Sequence, residues 1–246
     1  IWTCITTKEY PVEPVVQENK DSDKNKDSFI SSLVNFFTTS PEVAKICMMQ
    51  FFTWIGVMSM FIFFTQFAIH NIYAVPDLTN VTEAVKASYT NAMNQGTNLS
   101  SICFAIFNLI CFIISIPIGI VSSRFGNKKV HAVSLFIMAL AFIAMTFTLN
   151  VKLVALCMAI AGIGWASILA LPFAMLSKYI KKGTEGSVMG LFNIFIAGPQ
   201  VLVCTLLAWF ISQCPTVNNN NYHWEYAFIV GGLALLIAAA ISLSVK

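Results

Sequence analysis

Residues 100–123 and 130–149 are two apolar runs, each long enough to cross a bilayer as a helix, with only residues 124–129 between them. The joint reads Gly119-Ile-Val-Ser-Ser-Arg124-Phe-Gly126-Asn-Lys128-Lys129. So short a link permits only a tight reversal, which predicts two antiparallel helices lying side by side. Gly126 can supply the left-handed backbone that such a turn needs. Arg124, Lys128 and Lys129 put three cations at the joint, and the positive-inside rule then sets it on the cytoplasmic side.

The rest of the chain has the same character. Of its 246 residues, 57% are hydrophobic and 10% are charged, where a soluble domain carries about a quarter charged. This composition describes a polytopic, all-α membrane protein in contact with the lipid bilayer. Nucleic-acid binding is excluded, because the net charge of +3 is not gathered into a basic groove. The seven cysteines are scattered and form no CxxC pair, so they read as small apolar side chains rather than metal ligands, and no cofactor is expected. The chain begins at Ile1 without a signal-peptide pattern, which suggests a fragment whose N-terminal part lies upstream.

Taken in order, residues 1–7 read as the last turns of a preceding membrane helix and 8–28 as a solvated linker. Residues 29–37 read as a short surface helix, and Ser40-Pro41-Glu42 as a capped helix start. Residues 1–45 therefore form the end of a helix plus a cytoplasmic linker, and 46–246 a six-helix bundle. Spans are expected at 46–70, 100–123, 130–149, 153–177, 186–212 and 224–245, with polar loops at 71–99 and 213–223. Alternation puts Arg124, Lys128, Lys129, Lys178, Lys181 and Lys182 on one side, and only Lys86 and Lys152 on the other. That bias places the linker and C-terminus in the cytoplasm of an inner-membrane protein.

Apart from Glu225 at the edge of the last, the expected spans hold no Asp or Glu, but several other polar side chains fall in them. Gln66, Asn108, Ser167, Asn193 and Gln200 are costly against lipid, so each should face the bundle interior or water. Amides offer donors and acceptors together, which suits sugar hydroxyls, and Trp54 and Trp165 could stack on a pyranose face. The competing reading is helix–helix hydrogen bonding. Pro117, Pro172 and Pro199 are expected to interrupt helices, and Gly186-x3-Gly190 to form a close-packing face. His70 reads as an interfacial histidine; Asn80 and Asn98 fall in glycosylation patterns of an outer loop.

Gly119-x3-Ser-Arg124-x-Gly126-x-Lys128-Lys129 resembles the loop signature of the major facilitator superfamily, G-x3-D-R-x-G-R-R, with Ser123 in place of the acid. In that family the basic residues steady one of the alternating states, so the resemblance makes Gly119, Arg124, Gly126, Lys128 and Lys129 a conformational-switch loop. The run from Gln50 to Gln66 looks like the seventh helix of the sucrose and maltose symporter branch. Gly162–Pro172 looks like its tenth helix, and Gly186–Gln200 its eleventh.

The resemblance implies the C-terminal six-helix half of a twelve-helix major facilitator fold, paired with a missing N-terminal six-helix half. It implies a secondary active transporter, not an enzyme, that moves a sugar such as a disaccharide or glucoside together with a coupling cation, a proton first. If a proton is coupled, its carboxylate is expected in the absent half. Trp54, Gln66, Asn108, Trp165, Ser167, Asn193 and Gln200 are the candidate cavity residues. A facilitator for a drug or organic acid, or a sensor that binds without flux, would keep the same fold.

Overall fold

The computed structural model describes residues 41–78, 82–180, 185–214 and 222–246. The expected helix tail, linker, surface helix and Ser40 lie outside these residues, as do Asn80, Lys181, Lys182 and most of the 213–223 loop. The described residues are helical: α1 Pro41–Phe67, α2 Glu83–Phe125, α3 Asn127–Thr146, α4 Val151–Leu176, α5 Glu185–Leu202, α6 Ala208–Gln213 and α7 Glu225–Ser244. A π-helical turn, Ala68–Ile72, extends α1, and another, Val203–Leu207, joins α5 to α6. Six helical segments are long and apolar enough to cross a membrane.

Each helix start has a local cause. Pro41 has no N–H to leave unsatisfied, and Glu42 sits in the first turn of α1, at the positive end of the helix dipole. Glu42 also accepts from Lys45 Nζ at 2.9 Å and from the Lys246 backbone N–H at 2.8 Å, which ties the start of α1 to the end of α7. The Asn150 side chain caps α4 by accepting from Lys152 N at 2.9 Å.

Helix α7 is the axis of one layer, with α1 and α3 packed along it; α4 is the axis of the next, with α3 and α2 along it. Helix α5 rests mainly on α1. The aromatic core joins α1, α3 and α7: Phe228 lies 5.1 Å from Phe67, 6.0 Å from Phe64 and 5.9 Å from Phe142, ring centre to ring centre. Lipid tails are as apolar as these rings, so close fit holds the bundle more than removal from water does. Glycines set that fit. A Cβ on Gly56 would lie 2.5 Å from Leu235 Cγ and 2.9 Å from Gly231 O; one on Gly162 would lie 2.5 Å from Phe107 O.

Gly126 is the whole turn between α2 and α3, with φ +89°, a conformation open to glycine and strained for other residues. The tight reversal is therefore as the sequence predicts. The side-by-side packing is not: α2 and α3 touch little beyond the turn, because each packs on α4 instead. The close-packing face expected at Gly186 and Gly190 is not found within this bundle, and Gly119 is open in the same way. A Cβ at any of the three meets nothing within 4 Å, so these residues face away from their own bundle.

Two further expectations are overturned. Residues 83–99 are not loop but the first turns of α2, which also carries Asn98. They contain good helix formers without an apolar stripe, and Lys86 bonds Glu83 one turn away at 2.9 Å. Pro117, Pro172 and Pro199 lie within continuous helices. The irregular turns are instead the two π segments, one of them starting four residues after Pro199.

Candidate functional site

The seven cavity candidates do not meet in one pocket of this bundle; they fall into four groups. Trp54 and Trp165 belong to an aromatic cluster between α1, α2 and α4. Their rings cross edge-on at 6.1 Å, and Trp165 also lies 5.6 Å from Phe61 and 5.9 Å from Phe107. Both tryptophans are half-buried. Trp54 Nε1 is shielded and has no partner among the described residues, an indole donor waiting for an acceptor.

Ser167 is fully buried, and its hydroxyl bonds His131 Nδ1 across the α3–α4 contact. Within this chain it therefore serves helix packing and faces no open crevice. His131 Nε2 has no partner among the described residues. Sequence reasoning passed over His131 because it stands just after the basic turn and looks interfacial. Gln50 was missed too: it is 1% exposed, and neither of its amide atoms has a partner among the described residues. Its signal was available, since it is a lone amide inside an apolar run.

Gln66 lines a pocket of about 370 Å³ at the end of α1 remote from the basic turn, with Phe63, His70, Asp77, Tyr222 and Trp224. The π turn sets His70 between two acceptor oxygens, with Nδ1 2.7 Å from Val75 O and Nε2 3.1 Å from Gln66 Oε1. A neutral imidazole can donate to only one of them. Trp224 lies over His70 at 6.0 Å, 25° from parallel. Beside the pocket, Glu225 accepts from Asn71 Nδ2 at 2.6 Å and pairs with His223 Nδ1 at 2.7 Å, joining α1 to the first turn of α7. Aromatic faces, an amide and a carboxylate together can hold a polyhydroxylated or aromatic solute.

Asn108, Asn193 and Gln200 form the fourth group, on helix faces this bundle leaves uncovered. On α2 the exposed residues Ser101, Ala105, Asn108, Ser115 and Gly119 recur at spacings of three, four and seven. On α5 the exposed Gly186, Gly190, Asn193 and Ala197, with the half-buried Gln200, repeat the pattern. Asn108 Nδ2 returns to its own helix, donating to Phe104 O at 2.8 Å. Asn193 and Gln200 have no hydrogen-bond partner among the described residues. A stripe of small and amide side chains is a poor surface for lipid and a good one for water, a solute or another helix.

At the basic turn, Lys128 Nζ donates to Val245 O at 2.8 Å and Ser242 Oγ to Lys128 O at 2.9 Å, so α3 starts against the end of α7. Arg124 and Lys129 are exposed and have no partner among the described residues. Ser123, at the position of the family's acid, donates to Ile120 O at 2.7 Å and offers no charge to a neighbour.

Residues 49–245 match the family described as the Major Facilitator Superfamily. A niacin transporter, NiaP of Acinetobacter baylyi, is 30% identical over 115 residues, which are 47% of this chain and 24% of that protein. Among solved structures, the Escherichia coli xylose transporter XylE in a partially occluded inward-open conformation is similar at TM-score 0.62 and 19% identity, over 84% of this chain and 49% of that one. XylE bound to 6-bromo-6-deoxy-D-glucose is similar at TM-score 0.61, over 84% of this chain and 45% of that one. The chain thus spans about half the length of these structures and a quarter of the curated relative. The structural likeness shows the fold: all-α, six membrane-capable helices, half of a major facilitator fold.

Proposed function

Because this chain belongs to the Major Facilitator Superfamily, we propose that it forms one wall of the solute pathway of a secondary transporter. Its solute is a small polar molecule, a sugar such as a disaccharide or glucoside first, moved by alternating access and coupled to a cation, a proton first. Residues 46–246 act as one six-helix lobe that rocks against a second six-helix lobe, with residues 1–45 as the end of a preceding helix and a cytoplasmic linker. The basic turn of Gly119, Arg124, Gly126, Lys128 and Lys129, with the linker and C-terminus, faces the cytoplasm of an inner membrane.

The observation that carries the reading is the unpartnered amide stripe on α5. Asn193 and Gln200 stand on an uncovered face of an otherwise apolar helix. Leaving such groups against lipid is costly, whereas along a wet pathway they can bond solute hydroxyls. Trp54, Trp165 and Asn108 stand with them as solute-side candidates, and Gln66 receives solute at the pocket it shares with His70.

A second reading has its own support. The curated relative is named for niacin, an aromatic acid, which favours an organic-acid carrier on the same fold. One experiment separates the two. The intact protein is reconstituted in vesicles, and uptake of labelled xylose, a disaccharide, a glucoside and nicotinate is measured with and without a proton gradient. Gradient-driven sugar uptake that Asn193→Leu abolishes supports the first reading; nicotinate uptake without sugar uptake supports the second. Saturable binding with no flux of any solute makes the protein a sensor and overturns both.

A further inference from the structure

Helices α2 and α3 leave Gly126 and diverge, and α4 closes the back of the wedge. The wedge is a groove of about 490 Å³ running from Ile114 to Phe125 on α2 and from Lys129 to Ile137 on α3, with Ile163 at its floor. Its walls are apolar apart from Lys129 and Ser134. From Ile114 to Phe125 the groove measures about 16 Å at 1.5 Å per residue, roughly half the hydrocarbon thickness of a bilayer. It is one leaflet deep, with its narrow end at the basic turn.

Among the described residues no acid neutralises the charge at that end. Lys129 lies in the groove lining and Arg124 one residue before Phe125; both are exposed and unpartnered among the described residues. The sequence holds no Asp or Glu between Glu83 and Glu185, so none of the three helices around the groove carries an acid inside the bundle. An apolar slot of one-leaflet depth, with two exposed cations at headgroup level that no described residue pairs, matches a lipid whose phosphate bears a net negative charge.

We infer that this groove holds one acyl chain of an anionic glycerophospholipid, with the headgroup on Lys129 and Arg124. The lipid fills the wedge that α2 and α3 leave open. Its binding props the basic turn while α2 remains packed on α4.

The test uses the intact protein in nanodiscs of phosphatidylcholine, doped with a photoreactive-chain phosphatidylglycerol or the phosphatidylcholine of the same chain. Adducts should map to Ile114–Val121 and Val133–Ile137, about thirtyfold more from phosphatidylglycerol, as two basic contacts imply. Lys129→Gln with Arg124→Gln should bring the two yields level. Val133→Trp should remove groove adducts while leaving those elsewhere on the helices. If Val133→Trp fails to fold, the Lys129→Gln, Arg124→Gln variant decides. Equal yields from the two lipids in the unaltered protein, or no adducts in the groove, would overturn the proposal. So would a disulfide from Val133→Cys to a cysteine on another helix of the protein, since that helix would then be the occupant.

Discussion

His131 Nδ1 and Ser167 Oγ hydrogen-bond across the α3–α4 contact, leaving His131 Nε2 buried and without a partner. Replacing Ser167 by Ala would orphan the second ring nitrogen as well. The expected cost is about 1 kcal/mol of stability, in the range of interhelical bonds in membranes. Adding His131→Leu removes both orphans, so the double variant should be more stable than Ser167→Ala alone. Unfolding of purified protein in mixed micelles measures both; a double variant that is less stable would refute this account.

Trp54 Nε1 is shielded and unpartnered, so its N–H contributes nothing to folding within this chain. Trp54→Phe should leave stability unchanged within about 0.5 kcal/mol. If the indole donates to solute, KM should rise roughly two- to tenfold, the worth of one net hydrogen bond, with kcat little changed. Uptake kinetics beside a thermal melt distinguish this from a packing role, which would lower stability and leave KM alone.

The glycines divide into two kinds. A Cβ on Gly56 or Gly162 would strike Gly231 O, Leu235 or Phe107 O at 2.5–2.9 Å. Gly56→Ala and Gly162→Ala should each cost about 1–3 kcal/mol, since backbone must move. Gly186→Ala and Gly190→Ala meet nothing within 4 Å and should hold or raise stability by up to about 1 kcal/mol through helix propensity. If those two face a second lobe or a solute, uptake falls while stability does not. Paired melting and uptake measurements read both.

Residues 83–95 form helix, yet none of them is buried. Ala92→Pro should therefore unwind the first turns of α2, a local loss of about 3 kcal/mol, without unfolding the bundle. Hydrogen exchange should speed up for amides 86–95 and stay unchanged beyond Gly96, which packs on Ile69. Faster exchange along the whole of α2 would contradict this.

The spans and the Gly126 reversal were legible because apolar length and a lone glycine in a basic turn speak locally. The start of α2 was not, since Glu83, Ala84 and Lys86 make helix without the apolar stripe that marks a buried one. The divergence of α2 from α3 was hidden for another reason: both prefer α4, and that choice depends on Gly162 meeting Phe107, far apart in the chain. The cavity residues were half legible. Cost against lipid flagged Asn108, Asn193 and Gln200 on uncovered faces, but periodicity alone could not tell Ser167, bonded to His131, from a solute contact. His131 shows the limit most plainly, because the burial of its Nε2 without a partner among the described residues is visible only once the neighbours are placed.

Helix α2 has 43 residues, about 65 Å from end to end, against a hydrocarbon layer of about 30 Å. Its last free turns before Gly96 stand clear of the bundle like the arm of a balance. Any rocking of the lobe is magnified at that tip, so a reporter dye on Lys86 would display motions that sensors at the membrane centre register only faintly.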